Sequence, residues 1–122
     1  MIQRPKTVEA NIPKIICLCG STRFAGAYQT ANLTETLMGN IVLSIGCNTH
    51  SDNELFHRLS EEELNKVKQN LDELHKRKID LSDEILVLNV DGYIGESTRS
   101  EIEYAEKIGK SIRYLENGHD DR

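Results

Sequence analysis

The sequence predicts an α/β fold, a parallel sheet with helices on both faces. Two observations carry that expectation. Four short apolar runs recur along the 122 residues: "KIICLCG" (14–20), "IVLSIG" (41–46), "EILVLNV" (84–90) and "KSIRYLE" (110–116). Segments with helical character separate them, so strand and helix alternate in the order β-α-β-α-β-α-β. Unbroken apolar runs of this length suit strands covered on both sides. The composition, 38% hydrophobic and 29% charged, is that of one globular domain with a modest core.

Taken in order, residues 1–13 are polar, carry Pro5 and Pro13, and read as a flexible lead-in. The run 14–20 ends in Gly20 and reads as the first strand. Residues 24–40 have helical character, with Ala27, Ala31 and Thr34 on one face, Leu33 and Leu37 beside it, and Gly39-Asn40 as the stop. The second strand is 41–46, and 47–59 reads as a long loop. Ser60 and Glu63 match a capping box. Leu64, Val67, Leu71 and Leu74 then recur at helical spacing, giving an amphipathic helix to about residue 80. The third strand is 84–90, the third helix 97–109 with Ile102, Ala105 and Ile108 inward, and the fourth strand 110–116. A polar tail, 117–122, closes the chain. Right-handed crossovers narrow the topology, and the expected strand order is 2-1-3-4. The expected architecture is therefore a small Rossmann-like three-layer sandwich over residues 14–116.

The formal charge of −5 argues against general affinity for nucleic acid or anionic membranes. No apolar run approaches the roughly 20 residues that span a bilayer, and residues 1–13 hold no apolar signal core. Cys17, Cys19 and Cys47 make an odd count without disulfide spacing. A cytoplasmic protein is expected.

The strand order places a switch point between strands 1 and 3, and ligands bind beyond the strand carboxyl ends there. Two loops meet at that point. In "GSTRF", Gly20 permits close backbone approach, Ser21 and Thr22 offer hydroxyls, and Arg23 offers a donor fork for a phosphate or carboxylate. An ordinary capped strand-to-helix turn has the same residue types. In "DGYIGESTRSE", Gly92 and Gly95 keep the loop compact, and Ser97 and Thr98 stand at a helix start. Glu101 lies one turn further, aimed back at that start. Two readings stay open for it: a carboxylate in the site, or the acid of a Thr98-x-x-Glu101 capping box. His75 is a candidate at the same end of the sheet, or a half-buried surface histidine. Cys17 and Cys19 share one face of their strand and read as buried structural thiols. His50, Asp52 and His57 share a loop, but their spacing fits no standard metal site and a polar loop is expected.

Over residues 14–116 these motifs resemble the nucleoside 2-deoxyribosyltransferase-like superfamily. That group includes the deoxyribosyltransferases, the 2′-deoxynucleoside 5′-phosphate N-hydrolases and, more distantly, the cytokinin riboside phosphate phosphoribohydrolases. "SEIEYA" is similar to the superfamily's E-[IL]-G-x-A, and "STRSE" to its G-T-x-x-E. The resemblance implies that Glu101 attacks C1′ of a nucleoside sugar, with His75 as acid/base helper. It implies that Gly20, Ser21 and Arg23, with Ser97 and Thr98, gather around the sugar or phosphate, and Thr22 and Gly95 of the same two loops are taken as binding residues with them. It further implies a small-molecule nucleoside or nucleotide partner, no metal or other cofactor, and a homodimer or larger homo-oligomer. There are departures. Cys17 stands where some members place a tyrosine, His75 (with Asp72 one turn earlier) where active members carry an aspartate, and Glu103 where the small glycine falls. A non-catalytic nucleotide-binding module of the same fold is the alternative reading.

Overall fold

The computed structural model describes residues 12–46 and 57–116. Its elements are β1 (Ile15–Cys19), α1 (Ala25–Leu37), β2 (Ile41–Leu43), α2 (Glu61–Leu81), β3 (Glu84–Val87), α3 (Glu96–Lys107) and β4 (Ser111–Tyr114), with a 3-10 turn at Val90–Gly92. The four strands form one parallel sheet in the order β2-β1-β3-β4. The register sets Cys17 beside Ile85 and Cys19 beside Val87. Residues 1–11, 47–56 and 117–122 lie outside the described residues. These include most of the lead-in, all of the tail, and Cys47, His50 and Asp52.

Strand alternation builds two cores from one sheet. Ile16, Leu18, Leu86 and Leu88 point one way and pack on Tyr28 and Ala31 of α1. Cys17, Cys19, Ile85 and Val87 point the other way and meet Ile79 of α2 with Ile102 and Ala105 of α3. The result is a three-layer sandwich with one helix on one face and two on the other. Each fully buried Ile or Leu contributes about 1.5–3 kcal/mol, so most of the stability sits in these two layers.

Helix α2 begins as the sequence predicts. The Ser60 hydroxyl accepts from the Glu63 N–H at 3.1 Å, and Glu63 Oε1 accepts from the Ser60 N–H at 2.9 Å. At 21 residues it is about 31 Å long, and its buried residues are His75 and Ile79 near the C-terminal end.

Three expectations are corrected. Helix α1 buries Tyr28, Ala31 and Glu35, whereas Leu33 and Leu37 are 59% and 77% exposed. Glu35 is held by Arg113, which donates at 3.0 and 2.8 Å, and by Asn40 at 2.9 Å. That network draws the Glu35 face of the helix onto the sheet and turns the leucines outward. The second strand is shorter than 41–46, ending at Leu43. The Thr98-x-x-Glu101 box does not form. Helix α3 starts at Glu96 with Gly95 as its N-cap, and the Gly95 carbonyl accepts from the Arg99 N–H at 2.9 Å. Thr98 is thus inside the first turn, and Glu101 is carried into the second.

Candidate active site

A cleft of about 510 Å³ opens at the carboxyl ends of β1 and β3. Ile45 and Gly46 after β2 and Tyr93 before α3 border it, and three further segments supply most of its wall. The loop after β1 supplies Gly20, Ser21 and Thr22. The start of α3 supplies Gly95, Ser97, Thr98 and Glu101. The middle of α2 supplies Lys68, Leu71, Asp72, Leu74, His75 and Lys78.

The β1 loop is held tightly. Tyr28, buried beneath it, donates its hydroxyl to the Gly20 carbonyl at 2.7 Å. A Cβ on Gly20 would sit 3.0 Å from Leu88 Cβ and 3.3 Å from the Leu88 carbonyl oxygen. Only glycine lets β1 leave the sheet so close to the end of β3. The Ser21 hydroxyl then accepts from the Arg23 N–H at 3.2 Å.

The second loop is braced by Asn89, which is fully buried. Its amide donates to the Glu116 carbonyl at 3.2 Å and accepts from the Glu116 N–H at 2.9 Å. Asp91 follows with φ 54° in the 3-10 turn, its N–H donating to Glu116 Oε2 at 3.1 Å. The chain reverses there and delivers Gly95 to the start of α3.

At the floor, Glu101 meets His75, with Oε1 3.9 Å from Nε2. The same nitrogen lies 3.6 Å from Cys17 Sγ and 3.5 Å from Cys19 Sγ. Burial pushes the Glu101 carboxyl up to about 7, against the opposing pull of His75. The Cys17 thiol is lowered to about 6, first by its hydrogen bond with Cys19, with His75 adding to the effect against burial. Cys19 is raised by that same bond and by burial. The two thiols act as a pair that gives up one proton readily and the second with difficulty. Burial disfavours a charged His75, but the Cys17 hydrogen bond and the charges of Cys17 and Glu101 outweigh it, and its pKa is raised.

No protein-family model matches the chain, and neither does any curated protein. The assignment of function therefore rests on the cleft.

Of the residues singled out in the sequence, Gly20, Ser21, Thr22, His75, Gly95, Ser97, Thr98 and Glu101 all line that cleft. Arg23 does not. Its guanidinium stacks on the Tyr93 ring, 4.4 Å from the centroid, and Tyr93 in turn meets the Phe24 ring edge-on. His57 is exposed at the edge of the described segment. Sequence reasoning missed Lys68, Asp72, Lys78 and Tyr93 as wall residues, and missed the convergence of both thiols on His75. A signal existed for the α2 residues: 68, 71, 72, 75 and 78 follow helical spacing toward one side. Of these, Leu71 reads in the sequence as part of the amphipathic face and His75 as a site candidate.

On the outer side, a polar clip joins α2 to α3. The Tyr104 hydroxyl donates to Asp80 Oδ1 at 2.5 Å and accepts from Arg77 Nη2 at 2.9 Å. Arg77 Nε also pairs with Asp80 Oδ2 at 2.8 Å. Among the described residues, no helix is long and apolar enough to cross a membrane.

Proposed function

We propose that this chain cleaves or transfers the N-glycosidic bond of a nucleoside or nucleotide, with Glu101 acting at C1′ of the sugar. The observation that carries this reading is the placement of Glu101. Its carboxylate is not spent on capping its own helix. It borders the same cleft as the Gly20-Ser21-Thr22 turn, with His75 beside it. Rupture of an N-glycosidic bond builds positive charge at C1′, and a carboxylate next to that carbon stabilises the charge or captures the sugar. In the proposed step a Glu101 oxygen bonds to C1′. The C1′–N bond breaks, its electron pair leaves with the base, and the base nitrogen takes a proton from water in the cleft. Water or a second base then displaces the carboxylate. His75 helps to keep Glu101 ionised, since a neighbouring cation favours the charged form. Ser21, Thr22 and Ser97, with the free N–H groups at the start of α3, suit a sugar hydroxyl or a 5′-phosphate.

Resemblance to the nucleoside 2-deoxyribosyltransferase-like superfamily supports the same reading through Glu101 and the Gly20–Arg23 loop. The proposal includes a small-molecule partner and a cytoplasmic setting. It also includes a homodimer or larger homo-oligomer, because a four-stranded sheet with short edges β2 and β4 gains from a neighbour. A non-catalytic nucleotide-binding module is the second reading. It is favoured by the Glu101 pKa of about 7, which leaves much of the carboxyl protonated at neutral pH.

The deciding experiment incubates the chain with a panel of ribo- and deoxyribonucleosides and their 5′-monophosphates, following free base by chromatography. Base release that disappears in Glu101→Gln supports the enzyme. Thermal stabilisation by a nucleotide without release supports the binding module. Neither effect with any compound removes both readings.

A further inference from the structure

The floor of the cleft presents a geometric puzzle that sugar chemistry does not explain. Two thiols and a carboxylate all converge on a single imidazole nitrogen. Cys17 Sγ and Cys19 Sγ lie 3.6 and 3.5 Å from His75 Nε2, and Glu101 Oε1 lies 3.9 Å from it. An imidazole nitrogen has one in-plane proton or one lone pair. It can satisfy one of these three partners by a hydrogen bond, and the rest are left to the weak thiol contacts of Cys17 with Cys19 and of Cys19 with Glu101. Cys17 and Cys19 are fully buried and His75 is 5% exposed.

A cation at their common focus satisfies all of them. Cys17 Sγ, Cys19 Sγ and His75 Nε2 lie within 4.8 Å of one another. A tetrahedral zinc ion has bonds of about 2.3 Å to sulfur and about 2.0–2.1 Å to nitrogen, which fixes the sulfur-to-nitrogen edge at about 3.5–3.6 Å. Both observed edges have that length. Glu101 Oε1, 3.9 Å from His75 Nε2, stands just outside this three-donor group, and its side chain has to turn inward to fill the fourth position.

We propose that Cys17, Cys19, His75 and Glu101 form a four-coordinate zinc site at the floor of the cleft. The fold builds the donor set from three elements. Alternation along β1 puts both thiols on one face, α2 brings His75 down onto them, and α3 carries Glu101 inward from its second turn. Two thiolates, an imidazole and a carboxylate match zinc in softness and in coordination number. On binding, the metal replaces the thiol protons, which pass to solvent, and the imidazole enters neutral. The ion reaches the site through the cleft, which His75 and Glu101 both border. This inference stands on the convergence of the donors and not on the glycosidic reading. It has one consequence for that reading: a zinc-loaded chain has its Glu101 carboxylate committed and releases no base.

The test uses the full reduced chain, stripped with a chelator and titrated with Co2+ alone as the probe. One equivalent produces a sulfur-to-cobalt charge-transfer band in the near ultraviolet and the intense visible bands of a tetrahedral ion. One equivalent of Zn2+ displaces both. Cys47→Ser retains the spectrum and the stoichiometry, while Cys17→Ser and Cys19→Ser each lose or shift the charge-transfer band. Glu101→Gln keeps the band but weakens binding on the order of 100-fold. X-ray absorption on the zinc-loaded wild-type chain needs no variant to fold, and it finds two sulfurs at about 2.3 Å and two lighter ligands at about 2.0 Å. Absence of the band at one equivalent overturns the proposal. Its loss in Cys47→Ser, or a zinc shell of nitrogen and oxygen alone, does the same. These readouts do not depend on base release, so failure of the metal site and failure of the glycosidic reading are told apart.

Discussion

The Tyr28 hydroxyl donates to the Gly20 carbonyl at 2.7 Å and so ties the buried face of α1 to the loop that walls the cleft. The bond joins packing and site in one contact. Removing it leaves the cavity of one oxygen and a carbonyl without its donor, which costs about 1–2 kcal/mol. Tyr28→Phe is expected to fold with a lower Tm and, under the proposed function, to bind nucleotide more weakly, because the loop loses its anchor. Thermal melts with and without ligand check this. Equal ligand-induced shifts in both proteins refute the link.

Glu101→Gln removes the charge while keeping the shape. Under the glycosidic proposal, base release falls on the order of 10³-fold or more, about 4 kcal/mol of transition-state stabilisation. Nucleotide binding changes little. Single-turnover base release and a binding titration measure the two separately. A variant with rates near wild type removes Glu101 from the chemistry.

Acid sensitivity follows from Glu35. The Arg113 guanidinium holds its carboxyl below the usual carboxylate range, against the cost of burial, and Asn40 adds to the effect. A carboxylate whose pKa is lowered on folding stabilises the native state above its unfolded value near 4.5. That contribution is lost as pH falls through the lower folded value. Breaking a buried pair typically costs 3–5 kcal/mol. Arg113 is 39% exposed, so solvent screening reduces the figure to about 2 kcal/mol. Glu35→Gln is therefore expected to melt about 8 °C lower at neutral pH, with the gap closing as the pH falls below 4.5. A constant gap across that range excludes the ion pair as its source.

Ser60→Ala tests the start of α2. Loss of the reciprocal cap costs about 1 kcal/mol. Amide exchange quickens first at residues 61–64 and leaves His75 and Ile79 protected. Uniform exchange along the helix contradicts this local picture.

Much of the architecture could be read directly from the chain. Runs such as "KIICLCG" are buried on both sides, so their apolar continuity is a local fact, and alternation assigned Cys17 and Cys19 to one face. Glu101 was harder. T-x-x-E reads as a cap at any helix start, and what decides the register is the Gly95 carbonyl accepting from Arg99 one turn earlier. The inward face of α1 was misjudged because Glu35 is held by a residue 78 positions away, for which the local sequence holds no signal. The meeting of His75 with the thiols spans 56 and 58 positions. It depends on how α2 docks on the sheet.

The clip of Arg77, Tyr104 and Asp80 lies on the solvent side of α2 and α3, roughly a turn beyond His75 and Glu101. Exposed ion pairs are weak stabilisers, so its effect is on alignment: it links the two helices that carry the histidine and the acid. The width of the cleft is therefore tied to contacts on the outside of the molecule. Substitutions at Tyr104, remote from any ligand, would retune the cleft while leaving every wall residue in place. A screen confined to the cavity lining would overlook the adjusting screw.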